Sequence, residues 1–431
     1  MTFYAVLALG LVALILTSFP VGFAAGIASM AGAAWFFGDP LDPRVASMLA
    51  RLFQDKIDSF LLLAIPFFLL AGRLMNTGGI TERLFGFVSL VVRPLKGGLG
   101  HANVLASTLF AGMSGSATAD AVGLGQVEMR AMLAAGYERD FSAGITAASS
   151  LIGPIIPPSI ALVAYGVSAE VSIGALFMAG IIPGLLLTLI FMAYVAVLAQ
   201  LRDFPSGPFA PLRELLLALR RALLPLMMPV IIIGGIRGGI FTPTEAAAIA
   251  AFYATLLSCL VYREIGGRQL LGEIRQAMVD SAVIMLIIAF TSAFGVVMIH
   301  GQVPQNLAAT MAHLTDDPTV LMLLLTLLWM AVGLFMAQTP AILVLTPILV
   351  PTAQLFGIDL IFFGIVMTLA LTLGLLTPPV GMVLFALTRV TGLSFERLSL
   401  VALPYIALVL VVIVLLILVP ELVLFLPNMT R

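Results

Sequence analysis

Two short stretches carry the residue types that could do chemistry in an otherwise apolar chain. Residues 153–158 read GPIIPP, and residues 374–379 read GLLTPP. Each interrupts a segment that hydropathy assigns to a membrane, 141–167 and 358–388. Proline has no N–H and frees the carbonyl one turn back. Each stretch therefore leaves carbonyl oxygens unpaired at membrane depth, and the second adds the Thr377 hydroxyl. Such backbone is tolerated only when it is buried in protein or lines a wet cavity. Freed carbonyls suit a small hard cation, and half-helix N-termini suit an anion.

Two more segments are interrupted. Region 99–135 breaks at GMSGSATAD, and region 320–350 breaks at FMAQTPA. Ser114, Ser116 and Thr118 can line a tight hairpin tip and offer oxygens. Small residues also serve close helix packing, which fits Ala117 and Ala119. Asp120 is a carboxylate where charge is costly, so it is either functional or a helix cap. The second tip has no acid; Gln338 and Thr339 are its polar residues. Glu128, Glu138 and Asp140 stand near Arg130 and Arg139 and read as a solvated face. That leaves Asp120 as the only acid near the centres of the four breaks. Carbonyls and hydroxyls with so few titratable groups fit sodium better than a proton.

Other chemistry finds less support. His101, His300 and His313 are scattered, without metal-ligand spacing. An intramembrane hydrolase would pair Ser114 or Ser116 with a histidine. His101 lies 13 residues before Ser114, and no nucleophile–base pattern joins them. A passive channel is a third reading, and it predicts currents too large for an alternating cycle. TPTE at 242–245 reads as a local capping box, with Pro243 at the first helical position. Arg237 reads as interfacial, Trp35 and Trp329 as aromatic belt anchors, and 399–426 as a lipid-facing span.

The elements that must position these residues are membrane helices. Of 431 residues, 61% are hydrophobic and 10% charged, with a mean hydropathy of +1.19. A soluble fold could not cover that much apolar surface, so the chain is predicted to be an all-α polytopic membrane protein. Uninterrupted spans are expected near 58–76, 173–200, 222–240, 244–262, 279–300 and 399–426. Residues 3–37 hold one long or two short spans, divided at Ser18-Phe19-Pro20. FAAGIASMAGAA resembles a signal cleavage site, but no positive n-region precedes it. The net charge of −1 gives no footing for a nucleic-acid partner, and a single cysteine, Cys259, excludes an internal disulfide.

The interruptions come in pairs at one offset. Pro157 and Pro378 are 221 residues apart, and the same step joins Gly112 to Gly333, Gly153 to Gly374 and Thr118 to Thr339. This is a long internal repeat. Arginines crowd 201–221 and 263–278, whereas 301–319 has no Lys or Arg, which places the first two loops inside and the third outside. Loop 39–57 fits poorly, since Arg44, Arg51 and Lys56 would lie outside. Hairpin 99–135 then enters from the cytoplasm and hairpin 320–350 from outside, so the repeats are inverted. The predicted division is N-terminal scaffold spans 1–57, repeat 1 at 58–200, central scaffold spans 201–278 and repeat 2 at 279–426. Repeat 1 comprises a span, an arm, hairpin 99–135, broken helix 141–167 and span 173–200. Repeat 2 comprises a span, hairpin 320–350, broken helix 358–388 and span 399–426.

Taken together, AGMSGSATADAVGLGQVEMRAMLAAGYERDFSAGITAASSLIGPIIPPSI, TPTEAAAIAAFYA and GLLTPPVGMVLF resemble the large membrane subunit of tripartite ATP-independent periplasmic (TRAP) transporters. The resemblance covers nearly the whole chain. It implies sodium-driven uptake of an organic acid across the cytoplasmic (inner) membrane of a bacterium or archaeon. It implies a periplasmic substrate-binding protein that delivers a carboxylate, such as a dicarboxylate or a sialic-acid-like sugar acid. It also implies a small four-helix membrane subunit and an elevator-type transport domain moving past a scaffold. Carried over by position, one sodium site would use Gly112 and Ser114, or Ser116 in its place, with Gly153, Ile156 and Pro158. Another would use Gly333, Gly374, Thr377 and Val380. Substrate would lie near Ser116, Thr118, Asp120, Gln338 and Thr339, and Asp120 would oppose an anion unless paired. A stand-alone anion–sodium symporter with similar hairpins, needing no binding protein, is the alternative.

Overall fold

The computed structural model describes residues 6–7, 10–14, 17, 19–37, 43–44, 47–48, 50–51, 54 and 58–429. Among the described residues there is no β-strand. The continuous helices begin with α1 (Val21–Phe37), α2 (Phe60–Thr77) and α3 (Ile80–Val92). Helices α4 (Gly98–Ser114) and α5 (Ala117–Ala134) form a hairpin. Then come α6 (Arg139–Ser149), α7 (Ile160–Ala169), α8 (Ile173–Leu201), α9 (Leu212–Arg237), α10 (Pro243–Val261) and α11 (Gly267–His300). The second half holds α12 (Val303–Leu314), α13 (Pro318–Gly333), α14 (Gln338–Leu355), α15 (Leu360–Leu373), α16 (Met382–Thr391), α17 (Phe395–Leu418) and α18 (Glu421–Asn428).

Seven of these are long and apolar enough to cross a membrane, and α12 with α13, bent by 118°, would make an eighth. The chain is a multi-pass membrane protein. Each broken segment is two short helices around a proline turn: α6 and α7 flank 153–158, and α15 and α16 flank 377–380. The Pro157–Pro158 and Pro378–Pro379 bonds are cis.

Several helices run longer than hydropathy implies. Helix α11 begins at Gly267, not near 279, and α9 begins at Leu212, not near 222. Their first turns carry Arg268, Glu273 and Arg275, or Arg213, Glu214, Arg220 and Arg221, so polar residues mask the helix from a hydropathy window. The predicted span 399–426 is also not one lipid-facing rod. It ends at Leu418, Pro420 opens α18, and Tyr405, Val409, Ile413 and Leu416 are buried. Helix α17 packs against α6, α8 and α15.

The small residues of FAAGIASMAGAA lie in α1, where Ala24, Ala25, Ala28 and Ser29 are buried along α11. Loop 39–57 falls largely outside the described residues. Trp35 is exposed, but Trp329 is not a belt residue. It is fully buried, edge-on to the Phe363 ring at 5.0 Å. The TPTE box forms as expected: Thr242 accepts from the Glu245 N–H at 3.3 Å, and Glu245 accepts from the Thr242 N–H at 2.8 Å.

The interior is interlocked. Helix α7 packs against α14, and α16 packs against α5 and α6. The far half of each broken helix thus rests on a hairpin from the other half of the chain. The Tyr165 hydroxyl of α7 donates to the Leu360 carbonyl of α15 at 2.6 Å, fastening the two broken helices together.

Candidate functional site

Proline spacing makes the first break. Pro154, Pro157 and Pro158 offer no N–H, so 153–158 cannot continue a helix. Ser159 restarts it: its hydroxyl donates to the Pro154 carbonyl and accepts from the Leu162 N–H at 3.2 Å. Among the described residues, no hydrogen bond ends on the carbonyls of Gly153, Ile155, Ile156, Pro157 or Pro158. The Ile155 carbonyl is pressed onto Gly180 of α8, while that of Pro158 faces the hairpin tip.

That tip is the turn between α4 and α5. Gly115 makes it with φ +61°, a conformation that favours glycine. A Cβ on Gly115 would stand 2.5 Å from the Pro158 carbonyl oxygen, so tip and break touch backbone to backbone. Gly112, Ser114, Gly153 and Pro158 thus meet around the tip, while the Ile156 side chain packs on Gly184 of α8.

At the second break the Thr377 hydroxyl donates to the Leu373 carbonyl at 2.6 Å, leaving its lone pairs available. The Val380 N–H donates to the Leu334 carbonyl at 3.3 Å, tying the break to the turn between α13 and α14. Gly333 and Gly374 lie against each other at the same place. Thus Gly333, Gly374, Thr377 and Val380 also converge.

The five polar tip residues part company. Ser116 and Thr118 line a cavity of about 400 Å³, with Ser114, Asn76, Arg73, Glu273 and Asp280. Ser116 is the N-cap of α5, so Asp120 is not the cap. Asp120 is buried inside the hairpin, receives the Ser114 hydroxyl, and lies against Gly153. Gln338 turns inward, its amide donating to the Thr368 carbonyl at 3.0 Å and the Thr372 hydroxyl at 2.5 Å. Thr339 is half-buried and, like Gln338 and Asp120, does not line that cavity.

Two features escape sequence reasoning. Arg73 is a lone cation inside span 60–77, a costly placement that marks it as a candidate for a site. It pairs with Glu273 at 2.9 Å and Asp280 at 3.1 Å across α2 and α11. Glu128 is not on a solvated face. It is 1% exposed, because the hairpin sets Asn103 of α4 opposite it, and Asn103 donates to it at 2.8 Å. Asp120 is therefore not the only acid within the hairpin. Glu138 and Asp140 are on the surface, paired with Arg202 and Arg397.

His101 and Ser114 stand at opposite ends of α4, about 20 Å apart at the helical rise, so they form no hydrolytic pair.

Residues 8–422 match the family described as "Tripartite ATP-independent periplasmic transporter, DctM component". The chain is 43% identical over 380 residues to the sialic acid TRAP transporter large permease protein SiaM of Vibrio cholerae, covering 88% of this chain and 89% of that one. It is 39% identical over 388 residues to the C4-dicarboxylate TRAP transporter large permease protein DctM of Pseudomonas aeruginosa, covering 89% and 90%. Its fold resembles the YdaH transporter of Alcanivorax borkumensis, with a TM-score of 0.61 at 18% identity, over 88% of this chain and 89% of that one. The converging tips and breaks sit in a chain that belongs to the DctM component family of tripartite ATP-independent periplasmic transporters, a large permease and not an enzyme.

Proposed function

We propose that this permease takes up an organic acid by sodium symport across the cytoplasmic membrane of a bacterium or archaeon. A periplasmic substrate-binding protein delivers the acid. One observation carries the reading: each of two hairpin tips presses on a helix break, and most carbonyls of the first break have no hydrogen-bond donor among the described residues. Neutral oxygens held rigidly by glycine contacts suit a monovalent hard cation. One sodium ion takes Gly112, Ser114, Gly153, Ile156 and Pro158; another takes Gly333, Gly374, Thr377 and Val380. Substrate binds beside Ser116 and Thr118 in the 400 Å³ cavity, a volume that suits a small organic acid. The two relatives' names concern a sialic acid and a C4-dicarboxylate, so the shared carboxylate is the class proposed here.

The two halves act as inverted repeats. The starts of α3 to α8, moved on by 221 residues, fall within two residues of the starts of α12 to α17. Opposite entry of the two hairpins follows from the arginine-rich loops 201–221 and 263–278. Residues 1–57 and 201–278 form scaffold, and the hairpins with the broken helices form a body that moves past it as an elevator. Exposed apolar residues of α1, α8 and α9, such as Phe23, Leu189 and Leu216, face lipid and a small four-helix subunit.

Uptake in proteoliposomes, with and without the binding protein and a sodium gradient, tests this reading. It requires dependence on both. Uptake unaffected by sodium sinks the coupling. Sodium-driven uptake without the binding protein supports a stand-alone symporter instead.

A further inference from the structure

The hairpin α4–α5 holds a second buried acid away from its tip. Glu128 lies two turns below Asp120 on α5, and both are at most 2% exposed. No ion pair among the described residues includes either carboxylate. Each has one oxygen, Asp120 Oδ2 and Glu128 Oε1, that is buried without a hydrogen-bond partner. A buried charge without a partner is costly, so something must neutralise it.

The surroundings of Glu128 are built from oxygen. Asn103 Nδ2 donates to Glu128 Oε2 at 2.8 Å and to Thr146 Oγ1 at 2.7 Å. Ser149 donates to Asn103 Oδ1 at 2.7 Å, and Ser107 donates to Ser149 at 3.0 Å. The Thr146 and Ser107 hydroxyls stand beside the carboxylate. All of these residues are buried. Either a proton or a small cation would neutralise Oε1, which has no hydrogen-bond partner. A small cation takes lone pairs, and here the carboxylate and the two hydroxyls supply several at one place.

We propose that Glu128 Oε1, with the hydroxyls of Thr146 and Ser107, forms a further sodium site inside the first hairpin, separate from the two tip sites. Charge balance supports it. The tip ion lies against Asp120, and the inner ion balances Glu128. The second half has no acid at the matching places, where Thr339 to Thr352 carry only neutral side chains. The proposal rests on the sodium reading above for the choice of ion.

Equilibrium binding of ²²Na⁺ to the purified full chain in nanodiscs, at constant ionic strength, tests it. Glu128→Gln keeps the shape and removes the charge. It should bind about one sodium ion fewer than the unaltered chain while keeping the rest. Thr146→Val covers the case in which Glu128→Gln does not fold. It should weaken one class of sites several-fold without changing the others. An unaltered chain that binds no sodium overturns the tip sites as well. Sodium binding that is unchanged in Glu128→Gln, or in Thr146→Val when Glu128→Gln does not fold, overturns only the inner site. A variant whose change is a shifted pH profile with the same sodium count assigns a proton to Glu128 and overturns it too.

Discussion

Gly333 and Gly374 meet backbone to backbone: a Cβ built on Gly374 would stand 2.1 Å from the Gly333 carbonyl oxygen. No rotamer change relieves such an overlap, because both partners are main chain. Gly374→Ala should push the second hairpin tip off its break and lower uptake ~10-fold or more, since packed interiors transmit such displacements. Initial rates at matched protein levels measure it. A rate near that of the unaltered chain would show that tip and break need not touch.

Thr377 offers a second test of the same place. Its hydroxyl already donates to the Leu373 carbonyl, so only its lone pairs are free for an ion. Thr377→Val should raise the sodium concentration for half-maximal uptake, whereas Thr377→Ser should not. If both variants keep the original sodium dependence, Thr377 is not a ligand.

Arg73 makes a prediction about substrate rather than ion. It shares the cavity with Ser116 and Thr118, and Glu273 and Asp280 hold its guanidinium. Arg73→Gln leaves two carboxylates facing an arriving acid. The concentration of acid for half-maximal uptake should rise about fivefold, from a charge interaction of about 1 kcal/mol in wet surroundings. Restoration by Arg73→Lys would separate charge from shape.

The capping box at Thr242 should affect stability alone. Thr242→Ala removes the acceptor for the Glu245 N–H and should cost about 1 kcal/mol. A lower thermal midpoint in detergent, with unchanged sodium dependence of uptake, is the expected result. A shift in that dependence would place the turn within the transport path.

The breaks were legible because proline and glycine act locally: a missing N–H or a left-handed turn needs no knowledge of the partner. The Thr242 cap was legible for a similar reason, since a capping box is read from residues three apart. Glu128 and Trp329 could not. Arg130 is near Glu128 in sequence, but the hairpin sets Asn103 beside the carboxylate instead. Trp329 has the composition of a membrane-interface residue, and only its packing on Phe363 shows it to be core. Hydropathy also misplaced the start of α11, because its polar first turns look like loop until the helix is seen whole. Gln338 stands out in the sequence as a polar residue of the second tip. Its inward bonds to Thr368 and Thr372 depend on how α14 meets α15, which spacing does not reveal.

Each broken helix is propped by the hairpin from the opposite half, α7 on α14 and α16 on α5. A disturbance at either mouth of the route must therefore reach the other through solid contact. On the symport reading proposed above, half-loaded forms have little room to rearrange alone, which disfavours slippage, in which the driving ion crosses without cargo.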